Sequence, residues 1–133
     1  MERPLNRIML VEDDPDIQFI TRLSLETGGG YDVRVCGSGA EALQSARAHR
    51  PDLILLDMMM PGMDGVATMI ELRKLPEIAA IPVVFFTANA QREVQQDLLR
   101  RGALGVIVKP VEPLALVEQI RTLWQRFAAT AAT

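Results

Sequence analysis

The chain has 133 residues, 49% apolar and 23% charged, with a formal net charge of −3 and a pI near 5.1. That is enough chain for one domain to bury its own core, and the acidic balance argues against a nucleic-acid footprint, which needs a clustered basic surface. No apolar run approaches the ~18 residues of a membrane span, and the run at 8–11 is too short for a secretory leader, so the expected location is cytoplasmic, with no membrane and no nucleic acid among its partners.

In chain order, residues 8–11 form a first short aliphatic strand, and Glu12, Asp13 and Asp14 follow at once. Asp14-Pro15 has the form of an N-cap with proline at the first helical position. The helix it opens is expected to pack Ile17, Ile20, Leu23 and Leu25 inward and to end at Gly28-Gly29-Gly30. Residues 31–36 alternate like a second strand and contain the lone Cys36, which is expected to be a buried structural thiol. Ser38 and Glu41 make a capping-box pattern at the start of a second helix through Ala42, Leu43 and Ala46. His49, at its end, is expected to be a solvated cation that favours the helix dipole.

The most apolar stretch, Leu53-Ile54-Leu55-Leu56, ends on Asp57. Such a run reads as a strand buried on both faces, the usual centre of a parallel sheet. A carboxylate inside it would be costly, so Asp57 is tolerable only at the strand's C-terminal end, where Pro61-Gly62 and Asp64-Gly65 open a loop. A third helix is expected from about Asp64 or Gly65, carrying Met69, Ile70 and Leu72 and running out near Pro76. Residues 82–87 form a fourth strand ending on Thr87, and 93–101 form most of a polar fourth helix with Val94, Leu98 and Leu99 on its inner face. Residues 104–108 form a fifth strand that stops at Lys109-Pro110. Glu112-Pro113 opens the last helix, which runs through Leu116, Ile120, Leu123 and Phe127 into an Ala/Thr tail expected to fray.

Five strands alternating with five helices predict an α/β fold: a doubly wound five-stranded parallel sheet of order 2-1-3-4-5, flavodoxin-like (βα)5. Glu12 and Asp13, Asp57, Thr87 and Lys109 then all fall at the C-terminal edge of the strands, where ligand sites in open α/β sheets form. Crowded carboxylates repel one another unless a cation sits among them, and hard oxygen donors with room for water suit Mg²⁺. A carboxylate beside Mg²⁺, with a hydroxyl and an ammonium, is the equipment for phosphoryl transfer to aspartate. Asp57 would attack phosphorus, and Thr87 and Lys109 would hold the phosphoryl oxygens.

In these residues the chain resembles the receiver domain of the bacterial two-component response regulators. The resemblance rests on Glu12-Asp13, on Asp57 with Pro61-Gly62-Met63-Asp64-Gly65 behind it, on Thr87-Ala88 and on Lys109-Pro110. It covers about residues 7–127 of what reads as a single domain, 1–133. It implies that Asp57 is the phosphoacceptor, Asp13 a direct ligand of Mg²⁺, Glu12 a ligand acting partly through water, and the Met59 backbone carbonyl the last protein ligand. Thr87 and Lys109 would contact the phosphoryl group, and the Lys109-Pro110 peptide would be cis. The implied partners are a sensor histidine kinase or histidine phosphotransfer protein and a downstream protein that docks on the face of helix four, strand five and helix five. No enzymatic activity is implied beyond the chain's own phosphorylation and dephosphorylation.

One position departs from the family. Val106 stands where many receivers carry Tyr or Phe as a switch, and a β-branched side chain cannot fill or vacate a ring-sized space. Signalling is therefore expected to run through the loop and helix after Thr87. Met59 and Asn89, two residues beyond Asp57 and Thr87, flank the expected path of a hydrolytic water, and the Met58, Met59, Met60 and Met63 cluster reads as flexible packing around the loop. A flavin- or nucleotide-binding flavodoxin-like protein shares the fold, but Glu12-Asp13-Asp14 would repel a bare phosphate. A phosphohydrolase of the haloacid dehalogenase type needs a second Asp at position 59, where Met stands. The rival within the fold is a receiver-like docking module that works without phosphorylation; a phosphorelay intermediate, or a fragment of a larger regulator or hybrid kinase, is the remaining alternative. If the chain is the whole product it is a stand-alone receiver.

Overall fold

Short aliphatic runs separated by capped helices fold as their periodicities dictate. The computed structural model describes residues 3–131. Its elements in order are β1 (Arg7–Val11), α1 (Pro15–Gly29), β2 (Asp32–Cys36), α2 (Gly39–His49), β3 (Leu53–Asp57), α3 (Gly65–Leu72), β4 (Val83–Thr87), α4 (Arg92–Arg100), β5 (Gly105–Val108) and α5 (Pro113–Ala131). The strands are all parallel and lie in the order β2-β1-β3-β4-β5. β3 sits at the centre, and all five of its residues are buried.

Side chains alternate between the two faces of each strand, which makes two cores. Met9, Val11, Ile54, Leu56 and Phe85 pack with Ala42, Met69 and Leu98, so this layer lies under α2, α3 and α4. Ile8, Leu10, Leu53, Leu55 and Ile107 pack with Leu25, Leu116, Ile120 and Trp124, under α1 and α5. Cys36 is fully buried and its pKa is raised, chiefly by desolvation, in keeping with a structural thiol.

The helix starts are built as the capping residues predict. Asp14 accepts from the Asp16 and Ile17 N–H groups, Ser38 from Glu41 N–H, and Asp64 from Ala67 N–H. Glu41 reaches back to the Gly37 N–H, one residue before the cap. α1 ends on Gly30, whose φ of +69° is a left-handed conformation that glycine adopts without strain.

Four expectations are corrected. Ile20 and Leu23 do not face the core: they are 60% and 48% exposed, while the buried stripe of α1 is Thr21, Ser24 and Leu25, with Ile17 half-buried. Ser24 can lie there because its hydroxyl donates to the Ile20 carbonyl of its own helix. In α4 the inner positions are Val94 and Leu98, four residues apart, which turns Leu99 outward. His49 is not a solvated cation: both ring nitrogens are buried without a partner, and burial lowers its pKa. The cation at the end of α2 is instead Arg7, whose guanidinium donates to the His49 carbonyl at 3.0 Å. Finally, the tail does not fray at Phe127. α5 continues to Ala131, with Ala128 packed in the core and the Trp124 indole donating to the Arg3 carbonyl at 2.9 Å. Residues 132 and 133 of that tail lie outside the described residues.

Candidate functional site

Two adjacent strands deliver the acidic residues to one edge. β1 and β3 are paired, so Glu12 and Asp13, just past Val11, arrive beside Asp57. Carboxylate oxygens of Glu12, Asp13 and Asp57 all lie within 4.8 Å of one another. Glu12 and Asp57 are buried, at 1% and 4% exposure, whereas Asp13 is exposed.

Lys109, one residue past β5, reaches back across the sheet edge. Its ammonium lies 2.7 Å from Glu12 Oε1 and 3.5 Å from Asp57 Oδ1, and over the Phe86 ring at 5.0 Å from the centroid. The peptide that follows it, Lys109-Pro110, is cis, as the family resemblance implies. Glu12 is held from all sides: Oε2 accepts the Asp14 N–H, its own N–H donates to the Cys36 carbonyl, and Gln18 Nε2 donates to its carbonyl at 2.5 Å. Phe86 and Gln18 are contributors that motif reading missed. Gln18 carries no motif signal, while an aromatic one residue before the strand-end Thr87 was a signal of sorts, since alternation places it beneath the edge.

Asp57 Oδ1 accepts the Met59 N–H at 3.2 Å. Burial raises its pKa to about 6; the Met59 N–H opposes this, the Glu12 carboxylate adds to it, and the Lys109 ammonium lowers it. The loop behind it closes by direct backbone contact. Gly65 N–H donates to the Met58 carbonyl, and a Cβ at Gly65 would sit 2.4 Å from the Asp57 carbonyl oxygen. Only glycine allows that approach. Thr87, fully buried at the end of β4, accepts the Asn89 N–H on its hydroxyl at 3.0 Å. Asp57, Asp13, Thr87 and Lys109 share one open cleft of about 630 Å³, with Met59 and Asn89 also in its lining. Met59 is 69% exposed at the rim, while Met60 is packed below, so the methionine cluster is partly rim and partly core. Every site residue named from the sequence is thus found at this edge. The described residues hold no other comparable group of metal-ligating side chains.

Known proteins resemble this chain in sequence and in fold. Residues 8–121 match the family described as the response regulator receiver domain. A DNA-binding response regulator, MtrA, of Mycolicibacterium smegmatis is 36% identical over 126 residues, covering 95% of this chain and 54% of that protein. The transcriptional regulatory protein CseB of Streptomyces coelicolor is 37% identical over 120 residues, 90% of this chain and 50% of that protein. The chain thus spans about half the length of these curated relatives. Among solved structures, the chemotaxis protein CheY4 of Vibrio cholerae superposes with a TM-score of 0.83 at 28% identity, over 90% of this chain and 99% of that one. A response regulator from Chloroflexus aurantiacus gives 0.83 at 30% identity, over 92% and 100%. No helix of the described residues is long and apolar enough to cross a membrane. With the family matched over most of its length and the fold shared in topology, this chain belongs to the response regulator receiver domains.

Proposed function

We propose that this chain is a phosphorylation-dependent signalling switch, in which Asp57 accepts a phosphoryl group from a phosphohistidine donor in a Mg²⁺-dependent reaction. The observation that carries the reading is the Lys109 ammonium set between two buried carboxylates from different strands, Glu12 and Asp57, with a third, Asp13, at the mouth. Burying two carboxylates at one edge is costly unless a charge that enters there is part of the chemistry.

The donor set fits a hard divalent cation. Three carboxylates against one ammonium leave an excess of negative charge, and all the donors are oxygens. Glu12, Asp13 and Asp57 would hold Mg²⁺, with the Met59 carbonyl as the further ligand that the family resemblance implies. When bound, it would offset the charge of the phosphoryl oxygens and favour the ionised form of Asp57.

The chain's own residues divide the remaining work. An Asp57 carboxylate oxygen forms the new O–P bond as the P–N bond of the donor phosphoimidazole breaks and its electron pair returns to nitrogen. Lys109, already 3.5 Å from Asp57 Oδ1, pairs with a phosphoryl oxygen, and the Phe86 face beneath keeps its ammonium aimed at the cleft. Thr87 donates its hydroxyl proton to another oxygen. Outside this self-directed phosphorylation and dephosphorylation the chain turns over no substrate. We place the receiver core at 7–127 within a single domain, 1–133, acting in the cytoplasm. Its donor is a sensor histidine kinase or histidine phosphotransfer protein, and its output is contact with a protein through α4, β5 and α5.

A second reading is favoured by Val106, which is half-buried on β5 and lacks the ring of the common switch: a docking module indifferent to phosphorylation. Intact mass after incubation with Mg²⁺ and acetyl phosphate separates the two. One added phosphoryl group is expected, absent from Asp57→Asn and from a Mg²⁺-free control. No adduct, together with no saturable Mg²⁺-dependent response to beryllofluoride, would leave the docking module as the function.

A further inference from the structure

A second hollow, of about 230 Å³, lies between α1 and the start of α5. It originates in the small residues that α1 turns inward. Near the end of α1, Gly28 lets α5 come close, since a Cβ there would lie 3.1 Å from Val117 Cγ2. One and two turns earlier, on the same side of the helix, Ser24 and Thr21 are too short to fill the space in front of Leu116. Ile20, which is large enough to fill it, is 60% exposed and lines the hollow from its solvent side. Phe86 and Pro110 complete the walls.

The polar groups in these walls decide what can occupy them. Thr21 is only 3% exposed, and its hydroxyl has no hydrogen-bond partner among the described residues. Ser24 has already turned its own hydroxyl proton onto the Ile20 carbonyl. An ordered water needs about two to four polar partners, and one free hydroxyl does not supply them. An apolar cavity of about 150 Å³ lined by Leu, Ile and Phe takes up benzene, so this hollow has room for a ring that carries a substituent. Asp16 and Lys109, the two charged residues in its lining, are of opposite sign and favour neither an anion nor a cation.

We propose that this cavity binds a small neutral aromatic molecule bearing one hydroxyl or N–H group, with the ring against Ile17, Phe86 and Leu116 and the polar atom on the Thr21 hydroxyl. The Phe86 ring offers an aromatic contact beyond simple burial. The site is separate from the cleft that holds Asp57, and binding stands whether or not Asp57 takes up a phosphoryl group. The two share a wall, because Ile17 and Lys109 line both. A bound ring therefore lies beside the Lys109 side chain, whose ammonium rests on Glu12.

Phenol and toluene are the probes, since they differ by a hydroxyl in place of a methyl and so isolate the part played by Thr21. Each is titrated into the isotope-labelled chain, with backbone amide shifts and the Lys109 side-chain carbon shifts followed together. Phenol should saturate with half its effect at about 0.1–1 mM, moving the amides of 16–24 and 110–116 and the Lys109 side chain, with β2 and α2 unmoved. Toluene should bind about fivefold more weakly, the size of one net hydrogen bond. Thr21→Val should erase that difference by weakening phenol about fivefold. It should also fold at least as stably as wild type, because the lost hydroxyl leaves no partner behind. Thr21→Leu fills the space and should bind neither probe. Shifts that stay linear in the wild type, which would leave the hollow to a side chain of a protein partner, overturn the proposal, as does a preference for phenol that survives Thr21→Val. Should Thr21→Leu not fold, the phenol-to-toluene ratio in Thr21→Val decides alone.

Discussion

Replacing Asp57 with Asn should stabilise the metal-free protein. In the folded chain the Asp57 pKa is raised to about 6 from an ordinary 3.8, because the carboxyl is 4% exposed and faces Glu12. Between those two values the folded state binds more protons than the unfolded state, so this group's contribution to stability is fullest below 3.8 and is lost as pH rises through about 6. Above that, keeping Asp57 ionised costs up to about 3 kcal/mol at 1.36 kcal/mol per pKa unit. Asn keeps the shape and an oxygen for the Met59 N–H but carries no charge, so Asp57→Asn should gain about 1–3 kcal/mol at pH 8 in chelator. For a domain of this size that is a rise in Tm of about 4 °C per kcal/mol. Urea unfolding can be followed by the single tryptophan, Trp124, which is 5% exposed and becomes solvated on unfolding. The gain should shrink as pH falls toward 4, and Mg²⁺ should stabilise wild type more than the variant, which has lost a ligand. A wild type at least as stable as Asp57→Asn at pH 8 without metal, or a gap that ignores pH, would refute the account of a carboxylate held at electrostatic cost.

Three further outcomes follow from neighbouring contacts. Lys109→Met leaves Glu12 and Asp57 without their cation and should cost about 3–5 kcal/mol without metal, the usual penalty for removing one partner of a buried pair; the shift in urea midpoint on adding Mg²⁺ should exceed that of wild type. Gly65→Ala forces a Cβ to 2.4 Å from the Asp57 carbonyl oxygen, and should destabilise by about 2–3 kcal/mol in the same melts. His49 has a folded pKa below its ordinary 6.5, so its contribution is intact above that value and is lost as pH falls through it toward the folded pKa. In an Asp57→Asn background, which removes the opposing contribution, His49→Leu should lose less stability than its parent between pH 7.5 and 5.5 by urea titration.

The fold was legible because a parallel sheet is written in unbroken aliphatic runs. Leu53 to Leu56 and Val83 to Phe86 are buried on both faces, so hydrophobicity alone locates them. Helices were read less well, since their inner face is set by a period of 3.6 residues and not by which residues are most apolar. α1 packs along Ile17, Thr21, Ser24 and Leu25, and the small polar members of that stripe hide it from a search for leucine and isoleucine. Two larger apolar residues, Ile20 and Leu23, stand beside the stripe and look inward only on paper.

The site was legible for a different reason: polar residues at the ends of apolar strands have one place to go. Topology brings Glu12, Asp57, Thr87 and Lys109 to the same edge from four strands, whatever their side chains do next. What their side chains do next is not in the pattern. Carboxylates crowded together call for a positive charge, and the sequence pointed to a metal; the structure shows that Lys109 already supplies one, bonded to Glu12 more closely than to Asp57. That ordering matters for how the site works. On the proposed function, a lysine that rests on Glu12 would move toward the phosphoryl group, and Glu12 has a second partner of its own in the Asp14 N–H on Oε2. On the same proposal, the carboxylate that would hold the metal is also the resting place of the lysine that would pair with the phosphoryl group, so Glu12 alone would touch both halves of the site.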